Sequence, residues 1–287
     1  MKIGIAAASH YFQPLGDADT LPALDDMLAG LCREPFRRVD RFIHLALLGS
    51  ARCALGVALQ PDCGLYLGSG LGPMGSNIAT QEQLIRERDI PRPFDFINTL
   101  GGSAGYYTAR NLELSAQNVF ISRRGASLQA VLNTALADLA LGIMTQALVG
   151  IVEEVTQPLA AHRRRQGLPA GTAVAEGSHW LLLQASASAA SVLTTKRFAS
   201  FAEISDYLKS VWRPGDQLRC SGRTESSTAA ALQRQFAEVS APHPNAPFHD
   251  SLEAAWVTEF VAAGTAGNLY LASGTPDRDW TLFHFGT

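Results

Sequence analysis

The stretch Asn118-Val-Phe-Ile-Ser-Arg-Arg-Gly-Ala-Ser-Leu-Gln-Ala130 decides how the rest of the chain is read. Its first five residues are a short, mostly apolar run, the pattern of a buried strand. Residues 127–141, SLQAVLNTALADLAL, are apolar almost all round, which predicts a helix covered on every side and sandwiched between layers. A strand, a sharp turn and a buried helix place the turn's side chains at a helix N-terminus. Unpaired N–H groups and the positive end of the dipole meet there. A cysteine at that point would have a lowered pKa and serve as a thiolate nucleophile. This chain supplies Arg123 and Arg124 instead. A guanidinium stays protonated and is no nucleophile, and its charge opposes the helix terminus.

Working outward, apolar runs at residues 3–8, 64–68, 146–152, 179–184, 268–272 and 280–285 read as further strands. Helical spacing marks residues 21–31, 40–55, 96–112, 201–211, 224–238 and 252–263, and a polar helix is expected over 81–88. Strands alternating with helices predict an α/β fold with mixed or parallel sheets. Pro/Gly-rich breaks fall at residues 167–171 and 242–247. The expected organisation is one compact unit made of an N-terminal half, 1–155, and a shorter C-terminal half, 156–287.

Composition narrows the function classes. The 287 residues are 47% hydrophobic and only 17% charged, which implies a large core or an obligate interface. The net charge is -3, and no basic block suggests nucleic acid. Arg163-Arg164-Arg165 reads as a solvated loop after a helical stretch. The apolar tract over 139–152 is too short for a membrane span, which needs roughly 20 residues. Cys32, Cys53, Cys63 and Cys220 form no C-x-x-C pair, so neither zinc nor a disulfide framework is expected, and the thiols fit a cytoplasmic setting. Met1-Lys2-Ile3-Gly4-Ile5 runs straight into a strand pattern rather than a signal peptide.

The turn sequence resembles that of the ketosynthases of the thiolase superfamily. They carry Thr-Ala-Cys-Ser-Ser-Ser-Leu-x-Ala at this point. Here the match is Ser122-Arg-Arg-Gly-Ala-Ser-Leu-Gln-Ala130, with Arg124 on the cysteine; a second register puts Gly125 there, and neither supplies a nucleophile. Asp40-Arg41-Phe42, Gly64-Leu-Tyr-Leu-Gly-Ser-Gly-Leu-Gly72, residues 96–114 and Gly142-Ile-Met-Thr-Gln-Ala-Leu-Val-Gly-Ile-Val-Glu-Glu154 are similar to successive family landmarks. Glu176-Gly-Ser-His-Trp180 resembles the strand that opens the C-terminal core. The family's His-Gly-Thr-Gly-Thr and Gly-Phe-Gly-Gly motifs are missing. The resemblance implies a thiolase-like five-layer α/β/α/β/α sandwich with an abbreviated second half and no cofactor.

It also implies an oligomer paired through the strand before the turn, with Phe96, Asn98, Asn118, Phe120 and Ser122 at the interface. Arg124-Gly-Ala-Ser-Leu-Gln-Ala130 is similar to the Gln-Ala-Gly-Gly-Leu-Asp-Ala stretch of chain length factors, cysteine-less partners of active ketosynthases. The abbreviated form resembles the partner subunit of aryl polyene synthases. The implied partners are a cysteine-bearing ketosynthase subunit and, through the complex, an acyl carrier protein. No catalytic residue is then expected; Arg124 marks the vestigial nucleophile position. His249 is read either as a remnant catalytic histidine or as part of a helix N-cap region. The rival reading is a stand-alone malonyl-thioester decarboxylase or acyltransferase that uses His249 and a further nucleophile. Gly70-Leu-Gly-Pro-Met-Gly75 matches a dinucleotide fingerprint, but Pro73 removes a donor, so a plain glycine turn is expected. Ser127 is expected a turn inside its helix, and Cys220 as a small buried residue.

Overall fold

The alternating pattern closes into nine strands in a computed structural model that describes residues 3–17, 20–185, 191–221, 226–236, 249, 251–264, 266–274 and 280–286. The strands are β1 (Ile3–Leu15), β2 (Gly64–Ser69), β3 (Asn118–Ser122), β4 (Gln146–Glu153), β5 (Val174–Gln184), β6 (Ser191–Phe198), β7 (Gln217–Cys220), β8 (Asn268–Ser273) and β9 (Trp280–Gly286). The helices are α1 (Asp25–Leu28), α2 (Arg41–Ala54), α3 (Met74–Glu82), α4 (Pro93–Asn98), α5 (Gly101–Leu112), α6 (Ser127–Ala140), α7 (Leu159–Gln166), α8 (Phe201–Val211), α9 (Ser226–Gln235) and α10 (Leu252–Ala262).

The strand order is β3-β2-β4-β5-β1-β6-β9-β8-β7. From β1 outward the pairings run antiparallel to β5, antiparallel to β4, parallel to β2 and parallel to β3. From β6 outward they run antiparallel to β9, antiparallel to β8 and parallel to β7. The second series repeats the first and stops one strand short among the described residues. Among the described residues the strand pairing runs from one half to the other through Ile3, Gly4 and Ile5, opposite Leu193, Val192 and Ser191. In each half a helix precedes the second antiparallel strand: α6 before β4, and α10 before β8.

Both of those helices lie in the middle. Leu128, Val131, Leu132 and Leu136 of α6 share one core with Ala254, Val257 and Phe260 of α10 and with residues of both half-sheets. The other face of the first half-sheet is covered by α2, through Phe42, Leu45 and Leu48. The other face of the second is covered by α8 and α9, through Ile204, Leu208 and Leu232. Five layers result. Strand β5 is buried on both faces: Leu181 and Leu183 face the middle, Trp180 and Leu182 face α2. The Trp180 indole sits between Gly49 and Gly150, where a Cβ on either glycine would fall 2.4 Å from the ring.

Several expectations change. The helix expected over 21–31 shortens to α1, with Gly30 at φ +76° beyond its end. The polar helix over 81–88 belongs to a longer one that starts at Met74 and ends in a π turn, Gln83–Glu87. The helix over 96–112 is two helices, broken where Leu100 turns extended. Strands β6 and β7 and helix α7 add to the expected set. The arginine run is not a loop but the last turn of α7. Arg163 is buried there, paired with Asp17 and donating from Nε to the Thr172 carbonyl at 2.6 Å. The break at residues 242–247 lies outside the described residues.

Candidate functional site

The turn between β3 and α6 is built around Ser127. This residue is the first of α6, not a turn inside it, and it is fully buried. Its Oγ accepts from the Arg123 N–H at 2.9 Å and lies 2.9 Å from the Ser69 carbonyl and 2.7 Å from the Arg124 carbonyl. The hydroxyl therefore ties the turn to the end of β2 and is not presented to a substrate. Arg124 is the apex. It has φ +51°, in the left-handed region that costs an L residue on the order of 1–2 kcal/mol. Its side chain is exposed, as is that of Arg123. Gly125 follows within a single 3₁₀ turn, Arg124–Ala126.

The interior beneath this turn is occupied by a carboxylate. Glu153, at the end of β4, is 4% exposed. It accepts from the Ser69 hydroxyl at 3.0 Å, the Gly70 N–H at 2.5 Å and the Ser251 hydroxyl at 2.6 Å. Ser251 stands immediately before α10. Glu153 thus ties the start of α10 to the end of β2, to which Ser127 of α6 is separately bonded. The next residue, Glu154, accepts from the Gly75 N–H at 2.6 Å. Burial, reinforced by the charge of Asp40, pushes its carboxyl up to about 8, so it is mostly protonated at neutral pH. The Ser69 hydroxyl takes the Gly72 N–H at 2.8 Å. The N–H groups of the Gly70–Gly75 turn are spent on the protein's own side chains, which leaves no cradle for a pyrophosphate.

The sulfur chemistry is quiet. Burial raises the thiols of Cys32, Cys53, Cys63 and Cys220, to about 12 for Cys53 and about 11 for Cys63 and Cys220. None of them is poised as a thiolate.

His249 lies just before α10 and is 4% exposed. Its Nδ1 donates to the Ala175 carbonyl at 3.0 Å. Its ring meets the edge of His179 at 5.3 Å and of Phe12 at 5.4 Å between centroids. Burial lowers it to about 4, so the ring is neutral. It faces a packed cluster of rings.

The expected interface residues fall around the sheet edge. β3 pairs only with β2 among the described residues, so its outer edge carries free backbone groups. Asn118 and Ser122, at its ends, are exposed. Phe120 is half-buried, its ring against Gly101 and edge-on to Phe42. Phe96 is 56% exposed, beside the exposed Ile97, Leu100 and Tyr106. Asn98 is buried and donates to the Arg38 carbonyl at 3.0 Å, so it shapes the loop beneath that surface.

No protein-family model matches the sequence, and no curated relative matches it. Solved structures do match the fold. "The ishigamide ketosynthase/chain length factor" superposes with a TM-score of 0.71 over 99% of both chains, at 16% identity. The chain has the thiolase-like ketosynthase fold. A β-ketoacyl synthase from Burkholderia phymatum STM815 gives 0.68 over 99% of both chains at 13% identity. A complex of a ketosynthase with its chain length factor from Xenorhabdus doucetiae gives 0.52 over all of both chains at 14%. A 3-oxoacyl-(acyl carrier protein) synthase III from Pseudomonas aeruginosa PAO1 gives 0.56 at 14% identity.

Proposed function

We propose that this chain is a non-catalytic, chain length factor-type subunit that pairs with a cysteine-bearing ketosynthase. The observation that carries the reading is the occupancy of the site. The apex of the turn before α6 is an arginine, and the ground beneath it is filled by Glu153 bonded to Ser69, Gly70 and Ser251. Neither arginine of the turn can serve as a nucleophile, since a guanidinium stays protonated. The free edge of β3 and the apolar surface of Phe96, Ile97, Leu100 and Tyr106 supply a face for the partner. Two solved structures of similar fold are themselves described as a ketosynthase with a chain length factor, which supports the same reading.

On this reading the active subunit carries out the decarboxylative condensation on acyl-carrier-protein thioesters, of the aryl polyene type. This chain completes the dimer and bounds the acyl pocket. The setting is cytoplasmic. Among the described residues no helix is long and apolar enough to cross a membrane. The test is co-expression with a cysteine-bearing ketosynthase encoded beside it. A stable one-to-one complex is expected, with condensation lost on removing the partner's cysteine. Acyl transfer or malonyl decarboxylation by the purified chain alone would instead establish the stand-alone enzyme.

A further inference from the structure

Three histidines from distant parts of the chain meet on one side of α10. His10 comes from β1, His179 from β5, and His249 from the residue pair before the helix. Ring centroids lie 5.0 Å apart for His10 and His179, and 5.3 Å for His179 and His249. Phe12 packs against His179 and His249, 6.2 and 5.4 Å away. His179 is 2% exposed and His249 4%.

The hydrogen bonds fix the tautomers. The Thr258 hydroxyl on α10 donates to the Ala254 carbonyl at 2.8 Å. It must then accept from the imidazoles, whose Nδ1 atoms lie 3.1 Å away for His10 and 3.3 Å for His179. His249 Nδ1 faces a carbonyl and carries its proton too. The Nε2 atoms of His179 and His249 are therefore bare lone pairs, and neither has a hydrogen-bond partner among the described residues. They are packed, not open. A Cβ on Gly177 would fall 2.4 Å from His179 Nε2 and 3.0 Å from His249 Cε1. No metal-binding group of three such side chains occurs among the described residues.

We propose that His10, His179 and His249 form an acid-sensitive latch that seats α10 on the first half-sheet while all three rings are neutral and releases it when the buried pair is protonated. A proton on either Nε2 makes a charged donor with no acceptor, in a space closed by Gly177. The charged group that acts on them from α10 is Glu259, beside His10. Glu259 favours the charged form of His10, but burial outweighs it. Glu176, on the opposite face of β5, is paired with Arg41. Burial likewise lowers His179 well below the ordinary value, with the His249 and His10 charges adding to the effect. With folded values depressed, the unfolded chain binds more protons. Stability is then full above about 6.5 and falls with pH toward about 4.

The experiment is amide hydrogen exchange on the full chain at pH 7.5 and 5.0, corrected for intrinsic rates. Residues 174–184 and 252–262 should lose at least tenfold in protection at pH 5.0, while α2 keeps its own. His179→Gln and His249→Gln, neutral at both pH values, should flatten the difference. Unchanged protection of α10 in the wild type would overturn the proposal, whether or not the variants fold. So would an equal pH response in a folded variant.

Discussion

The two central helices begin in opposite circumstances. α6 starts beneath an exposed arginine at the surface, on a strand whose outer edge is unpaired. α10 starts under cover, with Ser251 bonded to Glu153 and His249 locked against His179. In a duplicated fold this is a difference of use rather than of scaffold. The sheet series of the two halves match strand for strand as far as the second goes. One helix start has kept an outward face, and the other has been turned into structure. Glu153 ties the α10 start to the end of β2, to which the α6 start is bonded through Ser127.

The largest expected effect tests that asymmetry directly. Glu153→Ala leaves the Ser69 and Ser251 hydroxyls and the Gly70 N–H without their acceptor. It should cost about 3 kcal/mol, read from the urea midpoint. Arg124→Ala should stay within ~0.5 kcal/mol, as exposed positions do. Equal costs would break the comparison.

The neighbouring carboxyl gives a test by pH. Glu154 is raised to about 8 from 4.5, so the folded chain holds its proton more tightly between those values. Its contribution is present below 4.5 and is lost as pH rises through 8. Glu154→Gln should therefore gain stability at pH 8.5 relative to wild type, on the order of 1–3 kcal/mol, and gain much less at pH 5. This slope runs opposite to that of the buried histidines, so the two can be separated by variant.

Smaller effects sharpen the picture of the turn. Ser127→Ala removes the anchor of the Arg123 N–H and should cost about 1–2 kcal/mol in thermal or urea unfolding. Arg124→Gly relieves a left-handed backbone and should be neutral to stabilising, by up to ~1 kcal/mol. If Arg124→Gly destabilises instead, the guanidinium has a structural partner in the isolated chain.

Much of this fold was legible because its strands are bounded apolar runs. Residues 118–122 and 201–211 were read with the bounds they have, since polar or turn residues flank each on both sides. β6 was not legible: four polar residues, Thr194 to Arg197, separate Val192 and Leu193 from Phe198, and Lys196 is held over the Tyr207 ring at 4.0 Å. Arg164 and Arg165 of α7 are exposed, as read, but Arg163 is buried, because its ion pair with Asp17 depends on a contact far away in sequence. At the site, the sequence offered Arg123 and Arg124 in the turn before α6, and the turn lies there. The role of Glu153 was not legible. Its signal was an acidic pair ending an apolar strand, next to a strand ending in Ser69-Gly70, and only the parallel pairing of β2 with β4 brings them together. The histidine cluster had no local signal, because its members lie on β1, β5 and the approach to α10.

The central claim is that Arg124 marks a retired active site in a subunit kept for its partner. The most direct measurement is condensation by the reconstituted pair of this chain and a cysteine-bearing ketosynthase, with each subunit varied in turn. The account predicts that Arg124→Ala retains condensation and that removing the partner's cysteine abolishes it. Acyl transfer by this chain on its own, or condensation that survives loss of the partner's cysteine, would contradict it.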